Sequence, residues 1–171
     1  MGELIGESRK YSDADLEALV EKATSRGAVL SVVHFDAHGK DAEAVKNSLV
    51  ELVAKLSKEK GMIYCRGQVE EALESENLYS SCAEVKVLVG GFNDLVNVAL
   101  KYGPIAVEIV KPNKITLPLD EAQNIIVDAS KISQEYAKFI LEKTLSGEEL
   151  QRFQKQLVAR AEFGKKLLEK A

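Results

Sequence analysis

The chain has 171 residues, enough for one well-buried core with an appendage. With 23 Lys+Arg against 27 Asp+Glu, the formal net charge of −4 excludes the dense cationic footprint on which nucleic-acid binding draws. At 46% hydrophobic and 29% charged, with 3 prolines and 11 glycines, the composition is that of a folded globular domain rather than a low-complexity chain.

No apolar run reaches the ~18–20 residues of a membrane span. The start Met1-Gly2-Glu3-Leu4-Ile5-Gly6 lacks the basic region and apolar stretch of a secretory signal. A cytoplasmic setting, with no membrane and no nucleic acid among the partners, is therefore expected.

Residues 1–10 read as a lead-in. Ser12 with Asp15 forms a capping box for a short helix whose stripe is Leu16, Leu19, Val20 and Ala23, and Gly27 ends it. Ala28 to Asp36 reads as a strand apolar on both faces, with Val29, Val33 and Phe35 on one side and Leu30 and Val32 on the other. Such a strand sits centrally in a sheet. The turn Ala37-His38-Gly39-Lys40 leads to Asp41, an N-cap for a helix running to about Glu59 with the stripe Val45, Leu49, Leu52, Val53 and Leu56. Residues 62–73 and 78–89 predict a long hairpin around Glu74-Ser75-Glu76-Asn77. Asn93 is expected to cap a second helix to Tyr102, and Gly103-Pro104 closes it. A last strand, Ile105 to Val110, ends at Pro112.

The tail predicts a helical hairpin. Pro118 suits a first helical position, and Asp120 and Glu121 suit the positive end of a helix dipole. The stripe Ala122, Ile125, Ala129, Ile132, Tyr136, Ile140 keeps near-heptad spacing. After Ser146-Gly147-Glu148-Glu149, a second helix carries Leu150, Phe153, Leu157, Ala161 and Leu168. Two such helices bury each other only in part and need a further surface, either the sheet or another subunit.

The two cysteines are expected as free thiols. Cys65 falls on the buried face with Ile63 and Val69, while Cys82 points out with Glu84 and Lys86, so the sulfurs diverge. Tyr64 and Arg66 alternate on the outward face. An RNA-stacking surface would use such a pair, but the glycine–aromatic signature of an RRM is missing.

The polar constellation with most chemistry is His34-Phe35-Asp36-Ala37-His38, which holds both histidines of the chain. At strand spacing His34, Asp36 and His38 share a face and match a two-His, one-carboxylate metal set, with Glu108 as a fourth candidate. His38-Gly39, however, looks like a turn that takes His38 out of the strand. The loop Asp36 to Asp41, with Gly39 and Lys40, precedes a helix N-terminus that could receive an anion. In its strand–loop–helix order this loop resembles that of ACT domains, regulatory modules that bind amino acids, although Asp41 stands where the anion would go. No P-loop, nucleophile elbow or Cys-x-x-Cys occurs.

The stretches Val33-His34-Phe35-Asp36-Ala37-His38-Gly39 and Tyr102-Gly103-Pro104-Ile105-Ala106-Val107-Glu108-Ile109 resemble conserved archaeal proteins of unknown function with a ferredoxin-like domain. The resemblance implies a fold and brings no catalytic residues.

The expected architecture is α+β. A four-stranded ferredoxin-like βαββαβ antiparallel sheet, ordered 4-1-3-2, spans residues 27–112, with two helices on one face. An N-terminal helix (1–26) packs at an edge, and a C-terminal helical hairpin (113–171) lies on the same core or across a dimer. The favoured function is a non-enzymatic interaction or regulatory protein that homo-oligomerises, without a cofactor. An ACT-like sensor of an amino acid or anion is the first alternative, and a divalent-metal enzyme using His34, Asp36 and His38 the second.

Overall fold

A computed structural model of the protein describes residues 3–5 and 12–168. The chain divides into two compact units, Met1–Ile125 and Ile126–Ala171. In the first, the order is β1 (Glu3–Ile5), α1 (Asp13–Thr24), β2 (Val29–Gly39), α2 (Ala42–Leu56), β3 (Met62–Val69), β4 (Leu73–Ser75), β5 (Leu78–Val89), α3 (Phe92–Tyr102) and β6 (Ala106–Lys111). The strands form one antiparallel sheet in the order β1-β3-β5-β2-β6, and β4 pairs with β5. The fold is α+β.

The sheet has six strands, where four were expected. The supposed lead-in supplies β1, which pairs with the outer edge of β3. The long hairpin is also divided, because β3 stops at Val69 and only 73–75 pair again with β5. Glu76 and Asn77 turn the β4–β5 hairpin with φ of 51° and 65°. Two successive left-handed residues match the right-handed twist of the flanking strands.

Strand β2 is paired on both sides, to β5 from Val29 through Gly39 and to β6 from Leu30 through His34. On one face Val29, Val33 and Phe35 join Val85, Val87 and Val89 of β5 and Cys65 and Val69 of β3. Against them α2 packs Leu49, Val53 and Leu56, and α3 packs Leu95 and Val98. The α2 stripe read from the sequence is the one that is buried, except that Leu52 sits at its margin.

The opposite face corrects the placement of the N-terminal helix. Helix α1 does not lie at an edge. It covers Leu30, Leu88 and Tyr64 from three adjacent strands with Val20, Leu16, Leu19 and Ala23. The physical reason is that β2 is apolar on both faces near its start, so Leu30 needs a cover as much as Val29 does. Tyr64 is thereby buried to 8% exposure, which removes it from the open surface where it was expected beside Arg66. Ile63 is likewise corrected. The β3–β5 register shifts between Met62 and Tyr64, and this bulge turns Ile63 out to solvent while Cys65 stays inside.

Helix ends follow local chemistry. Ser12 Oγ accepts from the Asp15 amide at 3.2 Å, and Asp15 Oδ2 accepts from the Ser12 amide, closing the capping box. At α3 the cap is Gly91 rather than Asn93. Gly103 ends α3 in the left-handed conformation, with φ of 59°. Glu59, just past α2, ties down the end of α3. It accepts from Lys101 Nζ at 2.5 Å and from the Tyr102 hydroxyl. The bond from Lys101 and then that from Tyr102 hold the Glu59 carboxyl below its usual range. Burial, followed by the bond to Glu59, pushes the Tyr102 hydroxyl up to about 12.

In the second unit, α4 (Leu119–Thr144), whose first turns belong to the first unit, is followed across Leu145-Ser146 by α5 (Gly147–Leu168). No residue of α4 is buried. On α4 the side chains of Ala122, Ile125, Ala129 and Ile132 are half-buried, and on α5 those of Leu150, Phe153 and Leu157 are half-buried.

Two outcomes test this packing. A Cβ on Gly67 would lie 2.8 Å from Val53 Cγ1. Gly67→Ala should therefore cost about 1–3 kcal/mol in urea unfolding, and a simultaneous Val53→Ala should recover part of that loss. Because the Glu59 pKa is lowered on folding, its contribution is present above the ordinary carboxylate pKa and is lost as pH falls through the folded value. Glu59→Gln should lower stability at pH 7 by about 1 kcal/mol or less. The difference from the wild type should shrink as pH falls below the ordinary carboxylate range and vanish below the folded pKa of Glu59.

Candidate functional site

The far end of β2 carries the polar constellation. The strand does not break at Ala37. It continues to Gly39, each residue still paired with β5: Asp36 with Cys82, Ala37 with Ser81, His38 with Ser80. The expected turn at His38 is thus corrected. The long β5 extends past the apolar core and carries its partner with it. His34, Asp36 and His38 consequently share one face at two-residue spacing.

Of these three, two meet. His38 Nε2 lies 2.8 Å from Asp36 Oδ2, and both side chains are exposed. His34 lies one step back along the strand, half-buried, opposite Glu84 on one side and Ala106 on the other. Glu108 sits opposite Val32 and is therefore diagonal to His34. Among the described residues no group of three His, Cys, Asp or Glu side chains is placed to hold a metal ion.

Gly39 ends β2 and Lys40 follows it before α2. A Cβ on Gly39 would come within 2.9 Å of Val45 Cγ2, so glycine lets β2 approach α2 closely. Lys40 is exposed. Asp41 caps α2, its Oδ1 accepting from the Ala44 amide at 2.7 Å, and Glu43 follows in the first turn. The positive end of this helix already faces its own carboxylates.

A cleft of about 400 Å³ opens beside the pair, lined by Asp36, His38, Cys82, Ser80, Ser81, Glu70, Glu71 and Leu73. Its floor is fixed by Ser81 Oγ, which donates to the Glu70 carbonyl at 2.7 Å. One wall is fixed by Lys46 Nζ, 3.1 Å from Glu71 Oε1. The sequence reading of Cys82 goes no further than an outward-pointing free thiol. The β2–β5 register places it directly across from Asp36 and one diagonal step from His38. The available signal was the alternation that put Cys82 and His38 on the same outward face of neighbouring strands.

The two thiols should behave very differently. Cys65 is buried, and desolvation pushes its thiol up to about 12, whereas Cys82 is exposed. Iodoacetamide at pH 8 should alkylate one thiol per native chain, at Cys82, and the second only in denaturant, as read by intact mass and peptide mapping. Rapid labelling of Cys65 in the folded protein would contradict the burial.

Comparison with known proteins adds one finding. No curated protein and no solved structure matches the chain. The protein-family model described as MJ0538 family matches residues 31–157, a span that contains both stretches carrying the archaeal resemblance. With most of its length inside that match, the chain belongs to the MJ0538 family.

Proposed function

We propose that the protein is a non-enzymatic interaction and regulatory module, a ferredoxin-like domain that self-associates through its C-terminal helices. The observation that carries this reading is the state of α4. It is 26 residues long, strongly amphipathic, and none of its residues is buried. Ile126, Phe139 and Ile140 stand 69%, 60% and 58% exposed, with Val127 and Tyr136 beside them and Val158 and Phe163 on α5. An apolar surface of this extent on a soluble chain marks an interaction site. An amphipathic helix acquires its stability from packing of that face. The edge strand β6 adds to the exposed apolar surface with Val107, Ile109 and Val110.

A second reading, a small-molecule sensor, is favoured by the cleft that Asp36 and His38 line together with the exposed Leu73. It is compatible with assembly and would make the cleft the regulatory input. No helix among the described residues is long and apolar enough to cross a membrane.

Sedimentation equilibrium on the full chain tests the main reading. A dimer or higher oligomer at micromolar concentration is expected. Phe139→Glu with Ile140→Glu should weaken association at least about tenfold, or 1.4 kcal/mol, without moving the urea midpoint of the sheet. A wild type that stays monomeric at the highest soluble concentration would overturn it.

A further inference from the structure

The cleft at the far end of β2 carries a charge that selects its occupant. Two rows of the strand ladder build it. In one, His38, Ser80 and Leu73 stand side by side across β2, β5 and β4. In the next, Asp36 faces Cys82, and the Glu70 amide donates to the Cys82 carbonyl at 2.9 Å. Three carboxylates line the cleft, Asp36, Glu70 and Glu71, against one imidazole and no Lys or Arg side chain. Asp36 has His38 at 2.8 Å, and Glu71 has Lys46 at 3.1 Å. Glu70 differs: its Oε1 accepts at 3.3 Å from the Gln68 side-chain amide, a neutral donor that leaves the charge in place. Glu84 follows Cys82 by two residues on the same outward face of β5 and adds to the negative charge there.

We infer that the cleft takes a small organic cation, an amine on a short carbon chain with no carboxylate of its own. This rests on the sensor reading above and names the class of its ligand. The ammonium belongs beside Glu70 and Asp36, where attraction to two carboxylates outweighs repulsion by one imidazole. The carbon chain belongs against Leu73, an apolar side chain 72% exposed within a polar lining. Ser80 adds a hydroxyl between the two. A few placed polar groups beside an apolar wall, all on paired strand, form a site that exists before its ligand arrives. At about 400 Å³ the space admits a small molecule and no larger partner.

The same charges turn an anion away. The carboxylate of a free amino acid would stand against Glu70 or Asp36 in the cleft. At the start of α2 it would stand against Asp41 and Glu43. An amine meets neither obstacle. The groups of the cleft are solvent-exposed, so the selection is electrostatic in origin and weakens as salt screens it.

Cys82, exposed and directly opposite Asp36, supplies a native reporter. The full chain is equilibrated at pH 7.5 with cystamine, 2-hydroxyethyl disulfide or 3,3′-dithiodipropionate, each mixed with its own thiol in the same ratio. One S–S bond forms at Cys82 as the probe's own breaks, and the released half leaves as thiol. Peptide mass gives the adduct at Cys82 in the folded chain and again in urea, which cancels the intrinsic chemistry of each probe. Relative to the hydroxyethyl adduct, folding should favour the aminoethyl adduct by about fivefold and disfavour the carboxyethyl adduct. The preference should fall in about 1 M salt and in Glu70→Gln with Asp36→Asn. An aminoethyl preference that survives both changes does not come from the carboxylates and overturns the inference. If folding favours the hydroxyethyl or carboxyethyl adduct instead, the cleft binds small molecules and the sensor reading stands, but the cation is wrong. If folding favours no adduct, both fail.

Discussion

The double pairing of β2 is the constraint from which the rest of this structure follows. Its backbone is hydrogen-bonded to β5 along its whole length and to β6 over its first half. Its side chains near Val29 and Leu30 are buried above and below. A strand with water on neither face forces two covering layers. The layer over Val29, Val33 and Phe35 is α2 with α3, and the layer over Leu30 is α1. Beyond Phe35 the same strand runs out of apolar residues but not out of pairing. Its last residues therefore present Asp36 and His38 on a surface held rigid by the ladder.

That rigidity explains the character of the candidate site. The cleft beside Asp36, His38 and Cys82 is built on paired strand, with Ser81 holding the adjoining chain at Glu70. Its side chains are exposed, and the Asp36–His38 pair is a surface interaction of small energetic weight. The geometry brings a thiol, an imidazole and a carboxylate to the lining of one cleft, and among the described residues no three His, Cys, Asp or Glu side chains are placed to hold a metal ion. The sequence motif His-x-Asp-x-His promised three ligands. Strand spacing keeps His34 a full step away from Asp36, and only the His38 side chain reaches back.

Hydrophobic period made most of the first unit legible in advance. The two faces of β2, the buried stripe of α2, the capping box at Ser12 and the opposed cysteines all follow from patterns of two or 3.6 residues. What stayed hidden were features that period does not encode. The bulge at Ile63 shifts one residue across the sheet, and no local composition announces it. Residues 3–5 form a strand only because the outer edge of β3 accepts them. Helix α1 looked like an appendage because its short stripe says nothing of which surface it meets. That surface is the second face of the sheet. His38 was misplaced because Gly39 was read as a turn, whereas it is a close approach to Val45.

The helices of the tail pose a different case, a clear sequence pattern of which Ala122, Ile125, Ala129 and Ile132 are half-buried while Ile126, Tyr136, Phe139 and Ile140 stand exposed. That exposed apolar surface on α4 is what the proposed self-association would cover. Hydrogen exchange measured at two protein concentrations addresses the central claim most directly. If α4 is completed by a second copy, amides between Ala122 and Phe139 gain protection as concentration rises, while those of β2 and β5 stay unchanged. Protection of α4 that is independent of concentration would contradict the account.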